Sequence, residues 1–372
     1  MKAYIYLENG VYLEAKAFGA CGSVFGEMVF NTSMTGYEEI ITDPSYAGQF
    51  IVFTMPEIGI VGINDDDMES NKIHASGVIM RKYSKIYSNF RGKKSLEDFL
   101  KEQGKIGIYD VDTRYLTKIL RDNGAMKAFI STEISDKNLL KEALENSEDI
   151  NEINYVSIVS TKNSYKHNGF AWNNKTMDFN KNQKITKKVA VIDYGVKKNI
   201  LRELSQVGIE SEIYPSNTKA EILIQKFKNG EINGVFLSNG PGEPKMLKFE
   251  IEQIKKIINE RIPMFGICLG HQLLSNAFGY ETYKLKFGQH GTNHPVQNLT
   301  NKTIEITTQN HNYNVPESIA DIAIITHRNL FDGTIEGVKY KNYPVFSVQH
   351  HPEASSGPNE SKYIFKEFLE IL

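Results

Sequence analysis

From residue 189 onward the sequence alternates short apolar runs with amphipathic stretches of helical length, and that alternation is what most restricts the fold. "VAVIDYG" (189–195) predicts a buried strand, and "KKNILRELSQVG" after it predicts a helix. "IESEIYP" is a second strand, followed by a helix over about 218–229, and "INGVFLSNGPG" is a strand running into a glycine loop. A helix around 247–260, the strand "IPMFGICLG" and the helix "HQLLSNAFG" continue the series. Strands alternating with helices of this length imply right-handed βαβ units and a doubly wound, mainly parallel sheet. Sheets of that kind place ligands at the carboxyl ends of their strands.

The first 150 residues or so read differently, as a mixed α/β domain. Asn9-Gly10 predicts a tight hairpin turn between two strands. "GEMVFNTS", "GQFIVFTMP" and "HASGVIMRKY" read as strands, and "SLEDFLKEQG" and "TRYLTKILRDNG" as helices, the second closed by Gly124. Between the two regions, "TKNSYKHNGFAWNNKTMDFNKNQKITKK" holds seven Lys and six Asn in 28 residues. That composition reads as a linker, pinned by Phe170 and Trp172. The chain of 372 residues therefore divides into an N-terminal domain over 1–150, a linker over 151–187 and a C-terminal domain over 188–372.

Bulk charge and cysteine content exclude several classes. Lys plus Arg is 43 and Asp plus Glu is 45, for a net charge of −2. This balance gives no electrostatic footprint for nucleic acid or a membrane surface. No stretch approaches the run of about 18 apolar residues that a membrane helix needs, and the N-terminus lacks the apolar core of a signal peptide. Cys21 and Cys268, the only cysteines, make neither a disulfide framework nor a zinc site. A reducing cytoplasmic setting is expected. The run Asp65-Asp66-Asp67 lacks the spacing of a calcium loop and reads as a solvated loop, so no metal is expected on this chain. "GKKS" at 92–95 lacks the upstream glycine of a phosphate-binding loop.

Three stretches at strand ends carry chemistry. Cys268 sits in Gly266-Ile267-Cys268-Leu269-Gly270, between an apolar run and a helix. This G-x-C-x-G arrangement has the form of a nucleophile elbow, whose glycines permit a sharp turn and leave the central side chain exposed at the sheet edge. The adjoining helix N-terminus favours a thiolate, and the Leu269 N–H is placed as an oxyanion donor. A thiol nucleophile needs a base and the base an orienter. Among nine histidines, His351 in "FSVQHHPEASSGP" stands in the strongest context, with Pro352 fixing the turn and Glu353 two residues on. Gly240-Pro241-Gly242, ending another strand, offers unobstructed backbone N–H groups. Taken singly, each has a plainer reading: a buried apolar cysteine, an idle surface loop, an ordinary Pro-Gly turn.

Together, "SNGPGEP", "FGICLGHQLL" and "HPEAS" resemble the triad-type, class I glutamine amidotransferases, whose glutaminase domain is flavodoxin-like. The resemblance implies that Cys268 attacks the glutamine carboxamide, His351 shuttles protons, Glu353 orients His351, and Gly240 with Leu269 forms the oxyanion hole. "GEMVFNTSMTGYEEIITDPSYAGQ", "GINDDDMES" and "DVDTRYLTKILRDNGAMK" look like the N-terminal domain of the carbamoyl-phosphate synthetase small subunit. "KFGQHGTNHPV", "QNHNYNV" and "LFDGTIEG" fit the same family. It implies glutamine contacts at Ser45, Gly240, Gly242, Leu269, Gln272, Asn310, Asn312 and Tyr313. It also implies a large-subunit partner that receives ammonia, binds ATP and Mg, and makes carbamoyl phosphate for arginine or pyrimidine biosynthesis or both. The glutaminase half alone also fits a glutaminase with another acceptor, or a non-catalytic subunit keeping the fold.

Two positions depart from the family pattern. Asn312 stands where glycine is usual; should its backbone be left-handed, asparagine is the least damaging replacement. His350 stands where glycine or tyrosine is common, and its ring either perturbs His351 or points outward. Outward is the expectation.

Overall fold

The computed structural model describes residues 1–372, in two compact units. One comprises Met1–Ile153 with Lys286–Gly291, the other Asn154–Leu285 with Thr292–Leu372. No helix is long and apolar enough to cross a membrane.

The first unit is built on a closed seven-stranded barrel. Its strands follow the order Lys2–Leu7, Tyr12–Gly19, Ile106–Tyr109, Gly77–Ile79, Gln49–Phe53, Ser23–Asn31 and Met126–Ser131, the last pairing back onto the first. The Asn9-Gly10 turn forms as its residues require. Gly10 takes φ 86° and its N–H donates to the Leu7 carbonyl at 2.8 Å. Period-two burial gives the Gln49–Phe53 strand two apolar faces. Phe50 and Val52 join Ile5, Met28 and Ile108, whereas Ile51 and Phe53 join Tyr46, Val78 and Leu100. The helix Leu96–Glu102 is capped by the Ser95 side chain, and Thr113–Asn123 ends at Gly124 with φ 102°. The acidic loop is tied to its own unit: Asp67 takes a bidentate pair from Arg91, both bonds at 2.7 Å, and Asp65 pairs with Lys93.

The second unit carries a ten-stranded sheet. Its centre is five parallel strands in the spatial order Ile209–Pro215, Lys187–Asp193, Gly234–Leu237, Met264–Ile267, Val345–Val348. In chain order this is the 2-1-3-4-5 arrangement of flavodoxin-like folds. Beyond Val345–Val348 the sheet continues through Ile335–Tyr340, Ala323–Asn329, the part of the strand Tyr283–Asn298 from Thr292 on, and Ile304–Asn314, with antiparallel pairing at the first steps. Both faces of the parallel centre are covered, so its strands read as apolar runs rather than alternations. Ala190, Ile192, Val235 and Met264 pack on one side with Ile254, Ile257 and Leu273. Val189, Val191, Phe236, Phe265 and Phe346 pack on the other with Leu201, Leu204, Phe365 and Phe368.

From Asn154 on, the stretch read as a linker is folded into the second unit. Val156, in the helix Tyr155–Val159, is buried in that unit's core. The Thr161 N–H donates to Asp193 Oδ2 at 2.7 Å, and Tyr165–Lys166 adds an antiparallel strand at the sheet edge. Trp172 meets Phe179 edge-on at 5.1 Å, with the Arg202 guanidinium 4.4 Å from the Phe179 ring centre. A sheet edge is satisfied by backbone groups, which a Lys/Asn-rich sequence supplies as well as any other. The composition therefore hid the strand. Lys286–Gly291, part of a motif assigned to the second half, belongs to the first unit: the Lys286 carbonyl accepts from Ala125 N at 3.0 Å and the His290 carbonyl from Thr32 N at 3.1 Å.

Phe265 is fully buried, stacked on Phe346 at 4.5 Å and edge-on to Phe236 at 5.2 Å. Phe265→Ala is expected to destabilise the second unit by about 3–5 kcal/mol, read as a lowered urea midpoint.

Candidate active site

The geometry at Cys268 follows from its two glycines. A methyl group on Gly266 would lie 2.8 Å from the Gly270 carbonyl carbon and oxygen, and one on Gly270 would lie 2.2 Å from the Leu237 carbonyl oxygen. Only bare backbone allows the strand end and the helix start to approach this closely. The contact is sealed by the Gly270 N–H, which donates to the Ser238 carbonyl at 3.0 Å. The chain reverses within one residue, and Cys268 takes φ 52° and ψ −104° as the cap of the helix Leu269–Ala277. Positive φ is unusual for a residue with a Cβ, and the conformation is strained.

The neighbouring parallel strand brings in the histidine. Ile267 pairs with Val348, the Cys268 N–H donates to the Val348 carbonyl at 2.9 Å, and three residues past Val348 comes His351. Its backbone is held by a bond to the Thr308 carbonyl at 2.9 Å. His351 Nδ1 lies 2.7 Å from Glu353 Oε1. Nε2 has no hydrogen-bond partner. Burial works against charging this ring, yet the Glu353 carboxylate and the Cys268 sulfur outweigh it and hold the pKa up at about 10. Glu353 is itself fully buried. Burial alone would raise its pKa, but Lys197 and then His351 outweigh that and keep it down at about 2. Both shifts favour the charged forms, imidazolium and carboxylate, against the cost of burial.

Sequence reasoning missed the residues that hold Glu353. Lys197 Nζ, on a buried side chain, donates to Glu353 Oε1 at 3.0 Å and to the Ala354 carbonyl at 2.6 Å. Asn199 Nδ2 donates to the Glu353 carbonyl at 2.6 Å. One signal was available: Lys197 caps the N-terminus of the helix Lys198–Gln206 without a side-chain cap bond, where a cation opposes the helix dipole. A lysine in that position at a strand's carboxyl end needs an anion nearby.

Gly240 and Leu269 come together, since a methyl on Gly240 would lie 2.8 Å from Leu269 Cδ2 and 2.3 Å from the Tyr194 carbonyl oxygen. Leu269 opens its helix, so its N–H has no intrahelical acceptor. Gly242 takes φ 92°. Cys268 Sγ lies 3.5 Å from the Asn310 carbonyl oxygen. Gln272 Nε2 donates to the Tyr313 carbonyl at 2.8 Å and to Gln349 Oε1 at 3.0 Å, so its amide fastens the segment bearing Asn310, Asn312 and Tyr313. Ser45 belongs to the first unit, buried in the short 3-10 turn Pro44–Tyr46, its N–H bound by Asp43 Oδ1 at 2.9 Å.

Both departures resolve differently from expectation. His350 does not point outward: it is wholly buried, 5.5 Å from the His327 ring and 3.7 Å from Glu336 Oε2. It faces His327 and Glu336 in the sheet's antiparallel extension, surroundings that the sequence did not reveal. Asn312 lies in the strand Ile304–Asn314 and is not among the residues with positive φ; extended backbone accepts asparagine without strain.

The parallel sheet and its elbow define a class-I glutamine amidotransferase domain, and the family model described as "Glutamine amidotransferase class-I" matches residues 190–371. The model described as "Carbamoyl-phosphate synthase small chain, CPSase domain" matches residues 5–130. A Campylobacter jejuni protein named carbamoyl phosphate synthase small chain is 66% identical over 372 residues, 100% of both chains. Relatives of the same name from Helicobacter hepaticus and Aquifex aeolicus are 55% and 45% identical, covering 100% and 99% of this chain and 98% of their own lengths. The chain belongs to the carbamoyl phosphate synthase small chain family.

Because the His351 pKa is raised by its partners, the charged ring adds stability below its ordinary value near 6.5 and loses it as pH rises towards about 10. Glu353→Gln removes the largest of the raising influences and leaves burial in place. The His351 ring should then titrate well below its value in the unsubstituted chain, followed by NMR of the ring protons; an unmoved titration would refute the assignment of Glu353 as its charge partner.

Proposed function

We propose that this chain is the glutamine-hydrolysing subunit of a carbamoyl-phosphate synthase and that Cys268, His351 and Glu353 carry the hydrolysis. The observation supporting this most is geometric: the buried His351–Glu353 pair, 2.7 Å from Nδ1 to Oε1, follows the strand end to which the Cys268 elbow is bonded. The sulfur adds as thiolate to the carboxamide carbon of L-glutamine, and the carbonyl oxygen becomes an oxyanion received by the N–H groups of Gly240 and Leu269. His351 gives its Nε2 proton to the departing nitrogen, releasing ammonia and leaving a γ-glutamyl thioester. The now neutral ring takes a proton from water, whose oxygen attacks the thioester; glutamate leaves and the thiolate–imidazolium pair is restored. Glu353 keeps the ring oriented throughout, and Lys197 keeps Glu353 ionised.

Glutamine itself is held by Ser45, Gly242, Gln272, Asn310, Asn312 and Tyr313. The partner is the large subunit of the synthase, in a cytoplasmic heterodimer or a higher assembly of it. It receives the ammonia through a tunnel, binds ATP and Mg, and joins ammonia to bicarbonate as carbamoyl phosphate for arginine or pyrimidine biosynthesis or both. This chain needs no cofactor for its own step, because thiol addition and proton transfer complete it.

Cys268→Ser is expected to lower glutamine-dependent carbamoyl phosphate synthesis by the reconstituted complex about a thousandfold or more, while synthesis from added ammonia continues. Loss of both activities would refute the donor role. Ser45→Ala should raise KM for glutamine without blocking covalent labelling of Cys268 by a saturating electrophilic glutamine analogue. Unchanged KM would remove Ser45 from the substrate contacts.

A further inference from the structure

Behind Asn310 runs a chain of buried polar side chains that the triad does not use. Glu336, in the strand Ile335–Tyr340, is wholly buried. Its Oε2 accepts from Gln309 Nε2 at 3.0 Å and its Oε1 from Asn329 Nδ2 at 3.2 Å; the His350 ring stands 3.7 Å away. Gln309 Nε2 also donates to Thr307 Oγ1 at 3.1 Å, and that hydroxyl spends its proton on the His294 carbonyl at 3.0 Å. Two acceptors therefore decide which end of the Gln309 amide is nitrogen.

The remaining end, Gln309 Oε1, faces His311 Nε2 at 3.1 Å. The other ring nitrogen, Nδ1, lies 2.9 Å from the Tyr313 carbonyl oxygen. Neither oxygen has a proton to give, so each ring nitrogen must carry one. The opposite assignment requires a protonated Glu336 and a reversed amide. It would set Gln309 Oε1 against a Thr307 hydroxyl whose proton is already used. A buried carboxylate needs a compensating charge; His350, 3.7 Å away, makes no hydrogen bond to it, whereas the Gln309 amide is bonded to it and to the His311 ring.

We propose that His311 is a fixed imidazolium whose counter-charge is Glu336, relayed through the Gln309 amide, and that it is a positioning residue for the Asn310–Tyr313 segment. Both of its nitrogens are engaged within the protein, so its effect is exerted through that segment. The hydrogen bonds close into a ring: His311 and Gln272 both donate to the Tyr313 carbonyl, Gln272 reaches Gln349, and the Gln349 N–H donates to the Glu336 carbonyl at 2.8 Å. The Asn310 carbonyl that faces Cys268 Sγ lies on the same stretch. The positioning role rests on the reading that Asn310, Asn312 and Tyr313 contact glutamine.

The test uses the full chain with ¹⁵N-labelled histidine, at about pH 8, above the ordinary histidine range, with His311 assigned by its loss in His311→Asn. The expected result is a His311 ring with both nitrogens protonated. In Glu336→Gln, close in shape but uncharged, one of those protons should be lost. In the complex with the large subunit, that variant should raise KM for glutamine about tenfold and change kcat less than about twofold. A singly protonated His311 ring in the unsubstituted chain would overturn the proposal and leave the glutamine-contact reading standing. A ring that behaves as expected while KM stays unchanged would overturn the positioning role together with that reading.

Discussion

The second unit depends on how closely bare backbone can pack at one point. Gly270 lies against the Leu237 carbonyl and Gly266 against Gly270, at separations no Cβ would permit. This lets the Met264–Ile267 strand and the Leu269–Ala277 helix meet with a single residue between them. That residue, Cys268, absorbs the reversal as a positive φ. Neighbouring parallel strands then do the rest, because the pairing of Ile267 with Val348 leaves His351 only a short turn away. Placement of Cys268 and His351 is thus a consequence of strand register and two missing methyl groups.

Around that geometry the protein sets charges where water is absent. Glu353 is ionised despite complete burial because Lys197 and His351 both meet its Oε1. His351 is charged despite burial because Glu353 and Cys268 oppose desolvation. Removing one member of such an arrangement exposes the others to the full cost of an unpaired buried charge. Glu336 with Gln309 and His311 repeats the scheme one strand further on, with an amide between the charges. In both cases a polar cluster ties together segments far apart in the chain, Lys197 to Glu353 in one and Gln309 to Glu336 in the other.

Much of this was legible from residues alone. The parallel strands were readable because strands covered on both faces are continuously apolar, and the elbow because glycines at two-residue offsets from a cysteine have a steric meaning. The N-terminal hairpin followed from Asn9-Gly10. The segment at 151–187 was misread because its strand Tyr165–Lys166 joins the sheet through backbone bonds, which composition does not report. Lys197 was passed over because its partner lies 156 positions away. His350 was misplaced because its environment is made by strands whose antiparallel pairing the sequence does not announce.

The sequence by itself determined local matters: where the chain must turn, which runs must be buried, and which residue stands at the elbow. These depend on backbone sterics and on the period of apolar residues, both properties of neighbours in the chain. Closure of the first unit's barrel, transfer of Lys286–Gly291 to that unit, and the protonation states of His351 and Glu353 were decided only by the tertiary structure. Each depends on groups distant in sequence. The charge on a buried ring is the balance between desolvation and the particular partners that folding brings within hydrogen-bonding distance.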